Sequence, residues 1–124
     1  MSGMVTFNRS CQLDAPFIFK HTETGGLMKA PLTLIATLVA KAGAEAELQQ
    51  ALQELQGPSR AEAACIQYDF YKDAEQACTF HMIEQWLDEA ALTAHEATPH
   101  FQTALPIIER AAEKFSVTKM YRVS

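Results

Sequence analysis

From Pro31 onward the hydrophobic and polar positions fall into a regular order. PLTLIATLVA, 31–40, is apolar at both parities and rich in β-branched residues and leucine. That predicts a strand covered on both faces. After Gly43, AEAELQQALQELQ sets Leu48, Ala51, Leu52 and Leu55 at helical spacing. Glu45 and Glu47 stand in its first turn, where the helix dipole favours acids. Gly57-Pro58 weakens that helix, leaving a last turn through Arg60 open. CIQYDFY, 65–71, alternates Ile66, Tyr68 and Phe70 against Gln67 and Asp69, as a strand does. Asp73 to Gln76 turn the chain, and CTFHMIEQW, 78–86, returns as a second strand, which predicts a hairpin. Asp88 caps a short helix, EAALTAH. Thr98-Pro99 is an N-cap followed by proline at the first helical position. The helix it opens runs to about Lys114, and Pro106 should kink or split it. VTKMYRV, 117–123, closes as the last strand.

The order is β-α-β-β-α-β, an α+β, ferredoxin-like fold with a four-stranded antiparallel sheet. Its helices cover one face of the sheet. The other face needs a cover, and a second copy of the same sheet supplies it economically, predicting a symmetric homodimer. Residues 1–30 are irregular and read as an N-terminal extension or arm; 31–124 are the domain. Met28 precedes the change of pattern. The first 27 residues are either a dispensable extension or an arm that docks Phe17 to Phe19 on its own domain or on a partner subunit.

The chain has 124 residues, 48% of them apolar and 20% charged, which suits one globular domain. A formal net charge of −5 argues against nucleic acid or an anionic membrane as partner. No apolar run approaches the roughly 20 residues of a membrane helix. The N-terminus lacks the apolar core of a signal peptide. Cys11, Cys65 and Cys78 are odd in number and widely spaced, which fits unpaired thiols in a reducing, cytoplasmic setting.

The candidate chemistry gathers in CTFHMIEQWLDEAALTAHEATPHF. Alternation along the strand puts Cys78, Phe80, Met82, Glu84 and Trp86 on one side, so Glu84 is a carboxylate in an apolar stripe. Such a group needs hydrogen bonds or a cation, or its pKa rises. It either meets water or pairs with a basic residue near the strand end, or it faces a site. His95 follows Ala91 by four residues and Leu92 by three, so it shares their inward stripe. It is either a core histidine bonded to a backbone carbonyl or a proton acceptor facing a cavity opposite Trp86 and Glu84. His100 stands in a first helical turn, and His81 has the opposite parity and points to the dimer face. No metal is expected: His95 and His100 are five apart across a helix break, and HExxH is absent. Cys65 and Cys78 lie in strands, where free cysteine acts as a small hydrophobe. No GxGxxG or GxxxxGK[ST] offers a nucleotide or flavin cradle.

AKAGAEAEL, SRAEAACIQYDFY and FHMIEQWLDEAALTAHEATPHF together resemble the antibiotic biosynthesis monooxygenase (ABM) domain family, which includes small quinol monooxygenases. The similarity spans about residues 31–123. Its most specific part is the Glu-x-Trp strand end, the Asp-capped Ala-rich helix and the Thr-Pro-His-Phe turn. The glycine often found before the central cysteine is Ala64 here, which alters a turn without threatening the fold. The resemblance implies a dimeric α+β barrel with a pocket between sheet and helices in each subunit. Characterised members oxidise electron-rich phenols or quinols with O₂, without metal or flavin; others degrade haem or process a signal compound. The haem-degrading branch pairs a Trp with a His ten residues later and has an Asn on the first strand. Here those positions hold His95 and Leu105, and the first strand has no Asn, so haem breakdown is disfavoured.

The expected function is cofactor-independent oxygenation of a small aromatic quinol or phenol by O₂. Deprotonation makes such a ring electron-rich enough to reduce O₂. His95 is the expected general base, with Glu84 orienting it or a substrate hydroxyl. Trp86, Tyr68 and Phe101 line the substrate walls, with His100 secondary. The alternatives are a non-catalytic dimeric small-molecule binding protein, or a cofactor-free isomerase or fragmentation enzyme for a small carbonyl signal compound.

Overall fold

Every second side chain of β1 (Leu32–Ala40) is buried: Leu32, Leu34, Ala36, Leu38 and Ala40. The computed structural model describes residues 30–123, and β1 is one of two central strands in its four-stranded sheet. The elements that follow are α1 (Glu45–Arg60), β2 (Cys65–Lys72), β3 (Thr79–Trp86), α2 (Glu89–Glu96), α3 (Pro99–Ala111) and β4 (Ala112–Tyr121). The sheet order is β2-β3-β1-β4, all neighbours antiparallel. This is the expected ferredoxin-like arrangement, with the second helical part divided in two. The extension or arm expected over residues 1–30 lies outside the described residues except for Ala30.

The core sits between the inner sheet face and the helices. Leu48, Leu52 and Leu55 of α1 and Ala104, Ile108 and Ala111 of α3 meet the inner residues of β1 and β3 there. None of the described helices covers the outer face. Thr33, Ile35, Thr37 and Val39 on β1 are half-buried, so among the described residues β1 is closed on one face only. On that face Ile35 pairs with Ile83. His81 lies there too, between Thr37 Oγ1 at 2.9 Å and Asp73 Oδ2 at 2.7 Å. No helix among the described residues is long and apolar enough to cross a membrane.

Four local expectations are corrected. Ile66 does not share the inner side with Tyr68 and Phe70. The register of β2 against β3 shifts between Cys65 and Gln67, a bulge that throws Ile66 outward, where it is 50% exposed, and gives Cys65 the place opposite Trp86. Cys78 is not in a strand: its φ of 58° is left-handed, and β3 begins at Thr79. The last helix stops at Ala111 rather than about Lys114, and β4 begins at once at Ala112 rather than 117. Pairing along the whole of β1, from Leu32↔Tyr121 to Ala40↔Ala112, draws Glu113 to Ser116 into the sheet. Pro106 neither splits nor ends α3. It and Gln102, whose carbonyl loses its helical partner there, are both exposed, which leaves that carbonyl open to solvent.

Candidate active site

The end of β3 carries two polar groups into the core. Glu84 and Trp86 are both inward by strand parity, and both are buried. Trp86 Nε1 donates to Glu84 Oε1 at 2.9 Å. That bond answers the indole but gives the carboxylate no cation. Burial accordingly pushes the Glu84 carboxyl up to about 7, against the lowering effect of the Trp86 bond, with Glu96 and Glu62 adding like-charge repulsion. The side-chain bond of Glu84 is thus to the indole.

The carboxylate against His95 is Glu62, which the sequence reading did not single out. Glu62 sits in the turn between α1 and β2, held by a bond from its own N–H to Ser59 O and one from the Cys65 N–H to its carbonyl. Its Oε2 lies 2.7 Å from His95 Nδ1 and 2.6 Å from His100 Nε2. One oxygen thus takes both imidazoles. Thr98, the N-cap of α3, ties the end of α2 to the first turn of α3, where His100 lies. Thr98 Oγ1 donates to His95 O at 2.7 Å and accepts from the Phe101 N–H at 3.2 Å. Asp88 fixes the other end of α2 by accepting from the Ala91 N–H.

His95 is only 2% exposed, while His100 is 22% exposed and Glu62 16%. Burial holds His95 below the ordinary histidine range, against the opposing pull of Glu62. Aromatic rings enclose it. The His95 centroid is 4.5 Å from Trp86, 5.1 Å from Phe101, 5.6 Å from Tyr68 and 5.9 Å from His100. Tyr68 also meets Trp86 edge-on at 6.2 Å. Desolvation first, and then Glu84, raises the Tyr68 phenol, so it stays protonated.

The structure thus brings His95, Trp86, Glu84, Tyr68, Phe101 and His100 into one cluster. The rings of this cluster pack on one another, and Trp86 is fully buried. Open space lies at the margins. A groove of about 330 Å³ between α1 and α3 is lined by Leu55, Pro99, His100, Ala104 and Ile107, among others. Another, of about 390 Å³, runs along Arg60, Cys65, Gln67 and Tyr68. Cys65 is no nucleophile: burial, with Glu62 and Glu84 nearby, pushes its thiol up to about 11.

The spacing argument against a metal does not survive the fold. The ligand atoms of Glu62, His95 and His100 all lie within 4.8 Å of one another. A signal for Glu62 was present only as an acidic residue in the loop before β2, and nothing local marked it.

A model of the antibiotic biosynthesis monooxygenase family matches residues 31–106, more than half of the chain. A Pseudomonas aeruginosa protein of known crystal structure is 42% identical, with a TM-score of 0.75 over 78% of this chain and 98% of that one. "Putative monooxygenase YcnE" of Bacillus subtilis is 38% identical over 71 residues, 57% of this chain and 75% of that protein. An uncharacterized Synechocystis protein is 29% identical over 94 residues, covering 76% of this chain and 64% of its own length. The chain therefore spans just under two thirds of that relative.

Proposed function

The chain belongs to the antibiotic biosynthesis monooxygenase family, and on that premise we propose that it oxygenates a small electron-rich quinol or phenol with O₂, using His95 as general base. The observation that carries this reading is a buried imidazole whose Nδ1 is held by Glu62 while three aromatic rings surround it. With Nδ1–H donating to the carboxylate, Nε2 is the basic nitrogen. It takes the proton of a substrate hydroxyl. The resulting phenolate reduces O₂; one oxygen atom joins the ring and the other leaves as water, with the quinol itself supplying the electrons. A lowered pKa keeps His95 neutral, hence basic, at neutral pH. Glu62 stabilises the imidazolium, and His100, at the edge of the α1–α3 groove, passes the proton toward solvent.

The closed packing sets a condition. A substrate ring reaches His95 by displacing Phe101, whose ring is partly exposed at the first turn of α3 and meets His95 edge-on. One aromatic contact replaces another, so the cost of opening is modest. Trp86 and Tyr68 then form the fixed walls, and Glu84 holds the indole plane.

The open sheet face supports a homodimer. Thr33, Ile35, Thr37, Val39 and Ile83 present an uncharged stripe along the two central strands, flanked by Asp69 and Lys114 on the edge strands, suited to a second copy of the same face.

The test is oxygen uptake with menadiol-like quinols, using full-length protein treated with EDTA. Uptake above the autoxidation rate, lost in His95→Ala, supports the reading. Uptake at the autoxidation rate sinks it. The same closed packing favours one other reading, a dimeric small-molecule binding protein without turnover. In that case His95→Ala lowers affinity modestly and there is no turnover to lose. An isomerase or fragmentation enzyme for a small carbonyl compound differs again, because its activity persists without oxygen.

A further inference from the structure

We propose that Glu62, His95 and His100 form a binding site for a borderline first-row divalent cation, of the class of Fe, Co, Ni and Zn. Two imidazole nitrogens and one carboxylate oxygen are a donor set that such cations prefer to Mg or Ca. The three come from three different segments: the α1–β2 turn, the last turn of α2 and the first turn of α3. The fold nevertheless puts their ligand atoms within 4.8 Å of one another.

Little movement separates this arrangement from a coordination sphere. Donors about 2.1 Å from a tetrahedral or octahedral ion sit about 3.0–3.4 Å apart. Glu62 Oε2 is now 2.7 Å from one nitrogen and 2.6 Å from the other. The oxygen must draw back from each by about half an ångström. His100 is the mobile member, since its side chain is 22% exposed. The backbone around the pair is already tied, because Thr98 Oγ1 bonds both His95 O and the N–H of Phe101, the residue after His100. On the solvent side Glu62 and His100 leave room for water to fill the remaining positions.

The surroundings favour a cation. The charges acting on His95 are those of Glu62 and Glu96, both negative, besides His100. The buried Glu84 feels the same two acids. A dication here removes repulsion among three carboxylates.

This site does not rest on the proposed oxygenation. It competes with it, since coordination takes up the His95 Nδ1 and Glu62 Oε2 that the base uses. Zn²⁺ should therefore inhibit turnover where turnover exists, and bind where it does not.

The experiment titrates EDTA-treated, full-length protein with Co²⁺ and Zn²⁺, by calorimetry and by the Co²⁺ visible spectrum. One ion per chain is expected, with paramagnetic shifts of two histidine rings. Glu62→Gln and His100→Ala should each weaken binding by about 100-fold or more. His81→Ala, on the opposite sheet face, should leave it unchanged. His100→Ala keeps the test sound should Glu62→Gln fail to fold, since His100 is partly exposed. No saturable binding at millimolar ion, or equal binding in His100→Ala, overturns the site.

Discussion

Glu62 Oε2 lies 2.7 Å from His95 Nδ1, across 33 residues of sequence. The contact joins the turn that ends α1 to the last turn of α2. It gives a charged partner to a histidine ringed by Trp86, Tyr68 and Phe101.

Replacing that carboxylate tests its role directly. Glu62→Gln retains an acceptor but removes the charge that stabilises an imidazolium. Quinol turnover should fall about 10- to 100-fold with KM little changed. Stability should drop by about 1–3 kcal/mol, since a buried ring nitrogen loses a charged partner. Oxygen-uptake kinetics and urea unfolding check the two parts separately.

Glu84 predicts a pH-dependent stability. Its folded pKa is raised to about 7 from an ordinary value near 4.5. Between those values the folded state binds more protons than the unfolded one, so stability falls as pH rises, and above 7 the penalty is fully present. Glu84→Gln should relieve it, by at most about 3 kcal/mol. Thermal melts at pH 5 and pH 8 should differ less in the variant than in the parent, with the gain at pH 8.

Trp86 is the single tryptophan, 4.5 Å from His95. Its emission is therefore a reporter of that ring, because an imidazolium quenches indole more than neutral imidazole does. Burial lowers the His95 pKa, so quenching should set in only below the ordinary value near 6.5. The stability that comes from burying a neutral ring is lost over the same fall in pH. In EDTA-treated His95→Gln the acid quenching step should vanish.

Phe101 is the expected gate. Phe101→Ala removes a ring at 5.1 Å from His95 and should open the cluster. Quinol should then bind faster, as stopped-flow quenching of Trp86 reports. The folded state should lose about 1–2 kcal/mol, less than a fully buried phenylalanine costs, because this ring is partly exposed. Unchanged association would mean the route lies along the groove at Tyr68 instead.

The outer sheet face predicts its own test. Ile83→Lys places a charge opposite Ile35. Sedimentation should show a dimer for the parent and a monomer for the variant, with the circular dichroism of the fold retained.

Much of the architecture was legible because periodicity is local. Alternation placed Phe80, Met82, Glu84 and Trp86 on one side of β3, and they are all buried together. Helical spacing put Ala91, Leu92 and His95 inward on α2. Ile66 and β4 were misread for a shared reason: strand pairing, not the residues themselves, sets a bulge and a strand's start.

The sequence by itself determined the element order, the inward stripe and the presence of an acid, an indole and an imidazole on it. Only the tertiary structure decided which acid meets which ring. Glu84 went to Trp86 because two residues along a strand bring them to the same face. Glu62 went to His95 and His100 because packing α1 on the sheet carries its C-terminal turn against the α2–α3 junction. Such a meeting has no period in the sequence: it depends on where helices end against a sheet, which is fixed only when the whole core closes.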